Sequence, residues 1–238
     1  MANIRLYVDH PLSEGQSVAL SRDQANYLFN VMRLQVDDTL RVINGKDGEF
    51  EATVAKAGKR NGILVATRQT QPLRPPPDLW LLFAPVKKAR TDFIVEKATE
   101  LGVAHLCPVL TDYTNSDRLR TDKLRAHVIE AAEQCGATYV PDVAEPVRLG
   151  KLIETWPQER KLIFCDETLA GQAQPLAGEK PGKWAILIGP EGGFSPAERD
   201  LLHSLDFVRG ISLGPRILRA DTAAVAALTL WQSALGDW

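Results

Sequence analysis

Two Gly-Pro segments carry the residue types through which this 238-residue chain could hold a small molecule. The first runs Leu187-Ile-Gly-Pro-Glu-Gly-Gly193 and continues as Phe-Ser-Pro-Ala-Glu198. An apolar run, Trp184–Ile188, ends at Gly189, and Gly192 and Gly193 can take positive φ and let backbone approach a ligand closely. Ser195, Pro196 and Glu198 have the spacing of an N-cap, a first-turn proline and the acid of a capping box, so a helix is expected to open there. Ligands of open α/β sheets bind beyond the carboxyl ends of strands, where this loop falls. A tight strand-to-helix turn would use the same glycines for geometry alone. The loop lacks GxGxxG spacing with a ribose-binding acid, a GK[ST] and a GxSxG, which disfavours a Rossmann dinucleotide site and excludes a P-loop and a nucleophile elbow.

The second segment is Arg209-Gly-Ile-Ser-Leu-Gly-Pro-Arg-Ile-Leu-Arg-Ala-Asp-Thr222. Again an apolar strand runs into Gly-Pro, here followed by Arg216 and Arg219, and Asp221 stands where a helix N-cap is expected. The helix behind it, 222–235, carries Val225, Leu228, Leu230, Trp231 and Leu235 on several faces. A helix apolar nearly all round is buried on all sides, either in the core or, for the last element, in a subunit interface.

The elements that must position these loops follow from periodicity and punctuation. Pro75-Pro76-Pro77 cannot supply ladder or helix N–H groups and reads as a stiff connector over 72–77. Before it, short strands are expected at Arg5–Val8, Ser17–Leu20, Thr39–Asn44, Glu49–Lys56 and Ile63–Thr70. Asn44-Gly45 and Asp47-Gly48 mark a hairpin, and one helix opens at Ser21 with Gln24 three residues on. Residues 1–71 thus read as a small barrel or sandwich. After the connector, apolar runs at Leu79–Val86, His105–Leu110, Lys161–Cys165, Trp184–Ile188 and Val208–Leu213 alternate with helical stretches. In one helix Phe93, Lys97 and Leu101 fall at i, i+4 and i+8 with Ile94 and Ala98 beside them, and another places Leu124, Val128, Ala131 and Cys135 on one stripe. Residues 78–238 therefore read as an α/β domain with a mostly parallel, doubly covered sheet.

Composition narrows the class. With 45% hydrophobic and 24% charged residues, the chain is ordinary globular material. Its longest apolar stretches fall far short of the ~20 residues a spanning helix needs, and no apolar segment follows Met1-Ala-Asn-Ile-Arg5 as in a signal peptide. Cys107, Cys135 and Cys165 form no CxxC pair, and the four histidines show no metal spacing. A cytoplasmic protein without a metal is expected. The net charge of −2 by itself gives no support to nucleic-acid binding, although residues 1–75 carry ten Lys or Arg against eight acids.

The two Gly-Pro segments, Leu187-Ile-Gly-Pro-Glu-Gly-Gly193 and Leu213-Gly-Pro-Arg-Ile-Leu-Arg219 with Thr222, closely resemble those of the RsmE family of SPOUT methyltransferases. Lys97-Ala-Thr-Glu-Leu-Gly-Val103, Glu130-Ala-Ala-Glu-Gln-Cys-Gly136 and Asn30-Val-Met-Arg33 match further family stretches in order, so the resemblance spans essentially the whole chain. It departs at Ala137, where many members have Arg, and at Asp221, where many have Glu. The resemblance implies an N-terminal PUA-like β-barrel and a C-terminal SPOUT α/β domain closed by a trefoil knot. It also implies S-adenosylmethionine as cofactor, a homodimer, and methylation of N3 of one uridine of 16S rRNA in the small ribosomal subunit.

On that reading Ile188, Gly189, Pro190, Glu191, Gly192, Leu213, Gly214, Ile217, Leu218 and Thr222 hold the cofactor. Arg219 stabilises negative charge on the uracil oxygens, and Glu191 or Asp221 accepts the N3 proton. Glu191 could instead cap nearby N–H groups, and Asp221 could be only a helix cap. The RNA candidates are Arg33 and Arg41 in the barrel and Lys88, Arg90, Arg118 and Arg120 beyond it, with Lys46, Lys87, Lys123, Arg125 and Arg216 as further basic groups. Methylation of a ribose 2′-hydroxyl, or RNA binding without catalysis, would use the same architecture.

Overall fold

The structure, a computed structural model, describes residues 4–58, 60–115, 119–171, 176 and 178–238. The chain divides into two compact units, Met1–Pro75 with Ala132–Val140, and Pro76–Ala131 with Pro141–Trp238.

The first unit is a five-stranded sheet. Its strands are β1 (Arg5–Tyr7), β2 (Ser17–Ala19), β3 (Thr39–Ile43), β4 (Glu49–Ala57) and β5 (Gly62–Gln71), in the order β1-β3-β4-β5-β2. Three register shifts between β4 and β5 bend the ladder, as bulges do, and the sheet curls about one core. Alternate residues of each strand, Leu40 and Val42, Ala52 and Val54, Leu64 and Ala66, enter that core. The expected hairpin joins β3 to β4, with the Asn44 side chain accepting from Lys46 and Asp47 N–H groups. Helix α1 (Arg22–Ala25) has the expected Ser21–Gln24 capping box, but it is a single turn that passes directly into a π-helix over Asn26–Val31. Residues 132–140 are held to this unit by Arg5, whose guanidinium donates to the carbonyls of Ala132, Glu133 and Ala137 while pairing with Glu49. A positive group on the last carbonyls of a helix is favourable, and here it reaches them from a strand far away in sequence.

The second unit contains β6 (Leu79–Phe83), α2 (Lys88–Glu100), β7 (His105–Leu110), α3 (Thr121–Cys135, whose last four residues group with the first unit), β8 (Asp142–Val143), β9 (Val147–Arg148) and α4 (Leu149–Glu154). It continues with β10 (Lys161–Cys165), β11 (Trp184–Ile188), α5 (Pro196–His203), β12 (Val208–Ile211) and α6 (Ala220–Leu235). The strand order is β12-β10-β11-β6-β7-β8, with β9 also on β7, and every pairing in it is parallel. All five residues of β11 are buried, as expected for a central strand covered on both faces. After β12 the chain passes the β10–β11 connection, where Gly171 N–H donates to the Gly214 carbonyl, and α6 then packs on α2 and β11.

Three expectations about the helices are corrected. In α2 the buried stripe is Thr91, Ile94, Val95, Ala98 and Thr99, whereas Phe93 is exposed and Leu101 is the C-cap. The buried set keeps Ile94 and Ala98 as expected and belongs to a helix that packs against α6. In α3 Leu124, Val128 and Ala131 are buried as expected, but Cys135 is exposed. Helix α6 begins two residues earlier than expected, so its N-cap is Arg219 and Asp221 lies in its first turn. There the carboxylate still faces the positive end of the helix dipole, which gives an aspartate at this position a structural reason.

Candidate active site

The carboxyl ends of β10, β11 and β12 open on one cavity of about 400 Å³, within the usual range for small-molecule sites. The loop after β11 contributes Gly189–Gly193 and the loop after β12 contributes Ser212–Gly214 and Arg216–Arg219. Of the proposed cofactor residues, Ile188, Gly189, Pro190, Glu191, Gly192, Leu213, Gly214, Ile217 and Leu218 line it. Thr222 and Asp221 do not; the α6 residues on the wall are Ala220 and Ala223. Arg219 lines the cavity and is exposed, and its side chain has no hydrogen bond or ion pair among the described residues. Glu191 is likewise exposed on the wall without a partner among them. Asp221 is engaged elsewhere, accepting from Thr222 N–H at 2.9 Å and facing Arg90 Nε at 3.9 Å.

The glycines of the first loop are explained largely by protein neighbours. A Cβ on Gly189 would stand 2.5 Å from the Phe194 ring, and one on Gly192 would stand 3.3 Å from Tyr113 Cβ. Gly193, at φ +69°, has Glu167 Oε1 only 2.3 Å from its missing Cβ. Of Gly192 and Gly193, both able to take positive φ, only Gly193 does so. Gly214, at φ +109°, has open space at its Cβ position, while its N–H donates to Ser212 Oγ and its carbonyl accepts from Gly171 N–H. The capping box of α5 forms as expected from Ser195 and Glu198. It extends further, because Ser195 Oγ donates to Asp112 Oδ2 and Asp112 N–H donates to Glu198 Oε1.

Sequence reasoning missed Cys165, Asp166 and Glu167, which bring the end of β10 to the cavity. The rule that located the β11 loop, binding beyond strand carboxyl ends, would have found them had it been applied to β10. Glu167 pairs with Arg199. Asp166 is buried, its Oδ1 accepting from Thr168 N–H and Oγ1 and its Oδ2 lying 2.9 Å from His203 Nε2. Burial opposes the charged form, but the hydrogen bonds from Thr168 and His203 with Arg199 nearby outweigh it and hold this carboxyl below its ordinary value. Burial also pushes the Cys165 thiol up to about 12, which removes it as a nucleophile near neutral pH.

A depressed carboxylate contributes stability in full above its unfolded value, near 3.9, and loses it as pH falls through the lower folded value. Asp166→Asn is therefore expected to cost about 1–3 kcal/mol at neutral pH. It should also flatten the loss of stability as pH falls below about 4. Urea unfolding at neutral and at acid pH checks this; an unchanged acid slope would contradict the assignment.

Most of the basic candidates are paired with acids. Arg33, at φ +60°, is exposed and unpaired among the described residues. Arg41 pairs with Glu51, Lys88 with Asp92 and Arg120 with Asp122, and Arg90 faces Asp221. Arg118 lies outside the described residues. Among the described residues there is no group of three or more potential metal-ligating side chains, and no helix is long and apolar enough to cross a membrane.

Residues 74–232 match the model of the RNA methyltransferase domain, and residues 20–66 match the RNA methyltransferase PUA domain. The ribosomal RNA small subunit methyltransferase E of Rickettsia conorii is 30% identical, over 94% of this chain and 93% of its own. The chain belongs to this RNA methyltransferase family. Members of the family, and close structural neighbours, retain the fold at lower identity. The ribosomal RNA small subunit methyltransferase E of Neisseria gonorrhoeae, solved with S-adenosylmethionine, superposes with a TM-score of 0.84 at 26% identity, covering 99% of each chain. A protein from Legionella pneumophila, also solved with that cofactor, gives a TM-score of 0.89 at 29% identity over the full length of both chains. The PUA match falls within the first unit, and the methyltransferase match contains every loop that lines the cavity. The SPOUT-type α/β architecture with a PUA-like domain is thus that of the methyltransferase family.

Proposed function

We propose that this protein transfers the methyl group of S-adenosylmethionine to N3 of a uridine of 16S rRNA in the small ribosomal subunit, acting as a homodimer. The observation that carries this reading is the cavity at the carboxyl ends of β10–β12, with an unpartnered Arg219 on its wall. The residues present fit the cofactor. Ile188, Leu213 and Leu218 supply apolar surface, and Gly214 leaves the space beside its Cα open. Glu191, exposed on the wall without a side-chain partner among the described residues, offers a carboxylate to a ligand that is cationic at sulfur. Ile217, 78% exposed at the cavity, has apolar surface for a ligand to cover.

When bound, S-adenosylmethionine supplies an electrophilic methyl group that leaves its electron pair on sulfur. The remaining work falls to the protein. Uracil N3 carries a proton and is a weak nucleophile until that proton leaves. Arg219 donates to the uracil oxygens, where negative charge gathers as the N3–H bond breaks. Glu191, which borders the cavity, takes the proton in preference to Asp221, which is tied to Thr222 and Arg90. Holding the two reactants in line supplies roughly 7–11 kcal/mol of the barrier reduction. The exposed part of α6, with Leu230 49% exposed, supports pairing with a second copy. Arg33, Arg41, Lys88, Arg90 and Arg120 supply phosphate contacts, and Arg33 requires no ion pair to be broken.

The test is incubation of the purified protein with labelled cofactor and small subunits from cells lacking this gene, followed by digestion and nucleoside mass analysis. The expected product is 3-methyluridine. Label in a ribose-methylated nucleoside would overturn the N3 assignment, and cofactor binding without transfer to these subunits would contradict the substrate assignment.

A further inference from the structure

Tyr113 is a large aromatic side chain left 44% exposed beside the loop that lines the cavity. It lies in the turn that follows β7, and this turn is tightly held. Thr114 N–H donates to the Thr111 carbonyl at 3.1 Å, Thr111 N–H donates to Thr114 Oγ1 at 2.8 Å, and the two hydroxyls are 2.9 Å apart. Asp112 ties the same turn to the start of α5, donating to Glu198 and accepting from Ser195. These anchors hold the backbone of the turn that carries Tyr113. Its Cβ lies 3.3 Å from the Cβ position that Gly192 lacks, so a side chain at residue 192 would require Tyr113 to give way. Gly192 lines the cavity and Tyr113 does not, which leaves the ring just outside the wall.

We infer that Tyr113 is a stacking platform for a base of the RNA strand that carries the methylated nucleotide. The inference rests on the functional reading above. Single-stranded RNA is bound through unstacked bases laid on aromatic faces, and each such contact is sequence-tolerant. The ring stands outside the cavity, so its partner is a base flanking the target, while the target itself enters between the two Gly-Pro loops. Tyr113 therefore positions the strand and takes no part in the bond changes. Its contribution belongs in KM for RNA, with kcat at saturation and cofactor affinity unchanged.

The test compares wild type, Tyr113→Phe and Tyr113→Ala in methyl transfer to small subunits lacking the modification, with cofactor affinity measured separately by calorimetry. Tyr113→Ala is expected to raise KM for the subunit by about 5- to 100-fold, the range of one lost base stack. Tyr113→Phe, which keeps the ring, should remain close to wild type. An active wild type with an unchanged KM in Tyr113→Ala would overturn the inference and leave the functional reading intact. A parallel loss of cofactor affinity in Tyr113→Ala would also overturn it, because Tyr113 would then be only a support for the Gly192 backbone. Absence of transfer by the wild type would overturn the functional reading, and this inference with it.

Discussion

Arg219→Ala is expected to lower kcat for methyl transfer by about 10²–10³-fold, the usual cost of removing one preorganised donor from a developing anion. The side chain sits on the cavity wall without an ion pair among the described residues, so its loss leaves no buried charge behind. The fold should therefore survive, and cofactor affinity measured by calorimetry should stay close to wild type. Arg219→Lys keeps the charge but not the planar fork, and should recover only part of the rate. If Arg219→Ala instead raised KM for RNA with kcat unchanged, the residue would be a binding contact, and stabilisation of the uracil anion would have to come from elsewhere.

The second large effect is expected at Gly189, immediately after β11. An alanine there would set its Cβ 2.5 Å from the ring of Phe194. That ring cannot yield easily: it is 1% exposed and packs edge-on against Phe164, with centroids 4.9 Å apart. Overpacking of this kind typically costs about 1–3 kcal/mol. For a chain of this size that is a loss of a few degrees in Tm. The strain is relieved by displacing the Gly189–Gly193 segment, so cofactor affinity should fall by tenfold or more along with Tm. Pairing Gly189→Ala with Phe194→Leu should restore part of the stability, since the two changes act on one contact. An unchanged Tm and affinity in Gly189→Ala would show that the loop does not depend on this packing.

Much of the scaffold was legible because its signals are local. The runs that became β6, β7, β10, β11 and β12 are apolar over most of their length, as strands covered on both faces must be. The capping boxes at Ser21 and Ser195 depend on residues three positions apart, and both formed. The two Gly-Pro loops were recognisable for the same reason, and they do line one cavity. The family resemblance, carried by those loops, supplied the cofactor and the reaction class that periodicity does not encode.

Other features depended on which elements meet. Phe93, Ile94 and Ala98 stand together in the sequence pattern of α2, and the packed helix, which meets α6, buries Ile94 and Ala98 and leaves Phe93 exposed. Asp221 satisfied a capping pattern by its residue type, yet the helix opens at Ala220 and turns that carboxylate toward Thr222 N–H and Arg90. Asp166 and Glu167 reach the cavity because β10 lies between β11 and β12 in the sheet, although β11 stands between β10 and β12 in the chain. Tyr113 touches Gly192 across 79 residues of sequence. The composition and spacing of this sequence determined strands, caps and two ligand-accessible loops, since these rest on interactions within a few residues. Tertiary structure alone decided the buried helix face, the partner of each carboxylate and the aromatic beside the cavity, because parallel strand order joins segments that no local pattern connects.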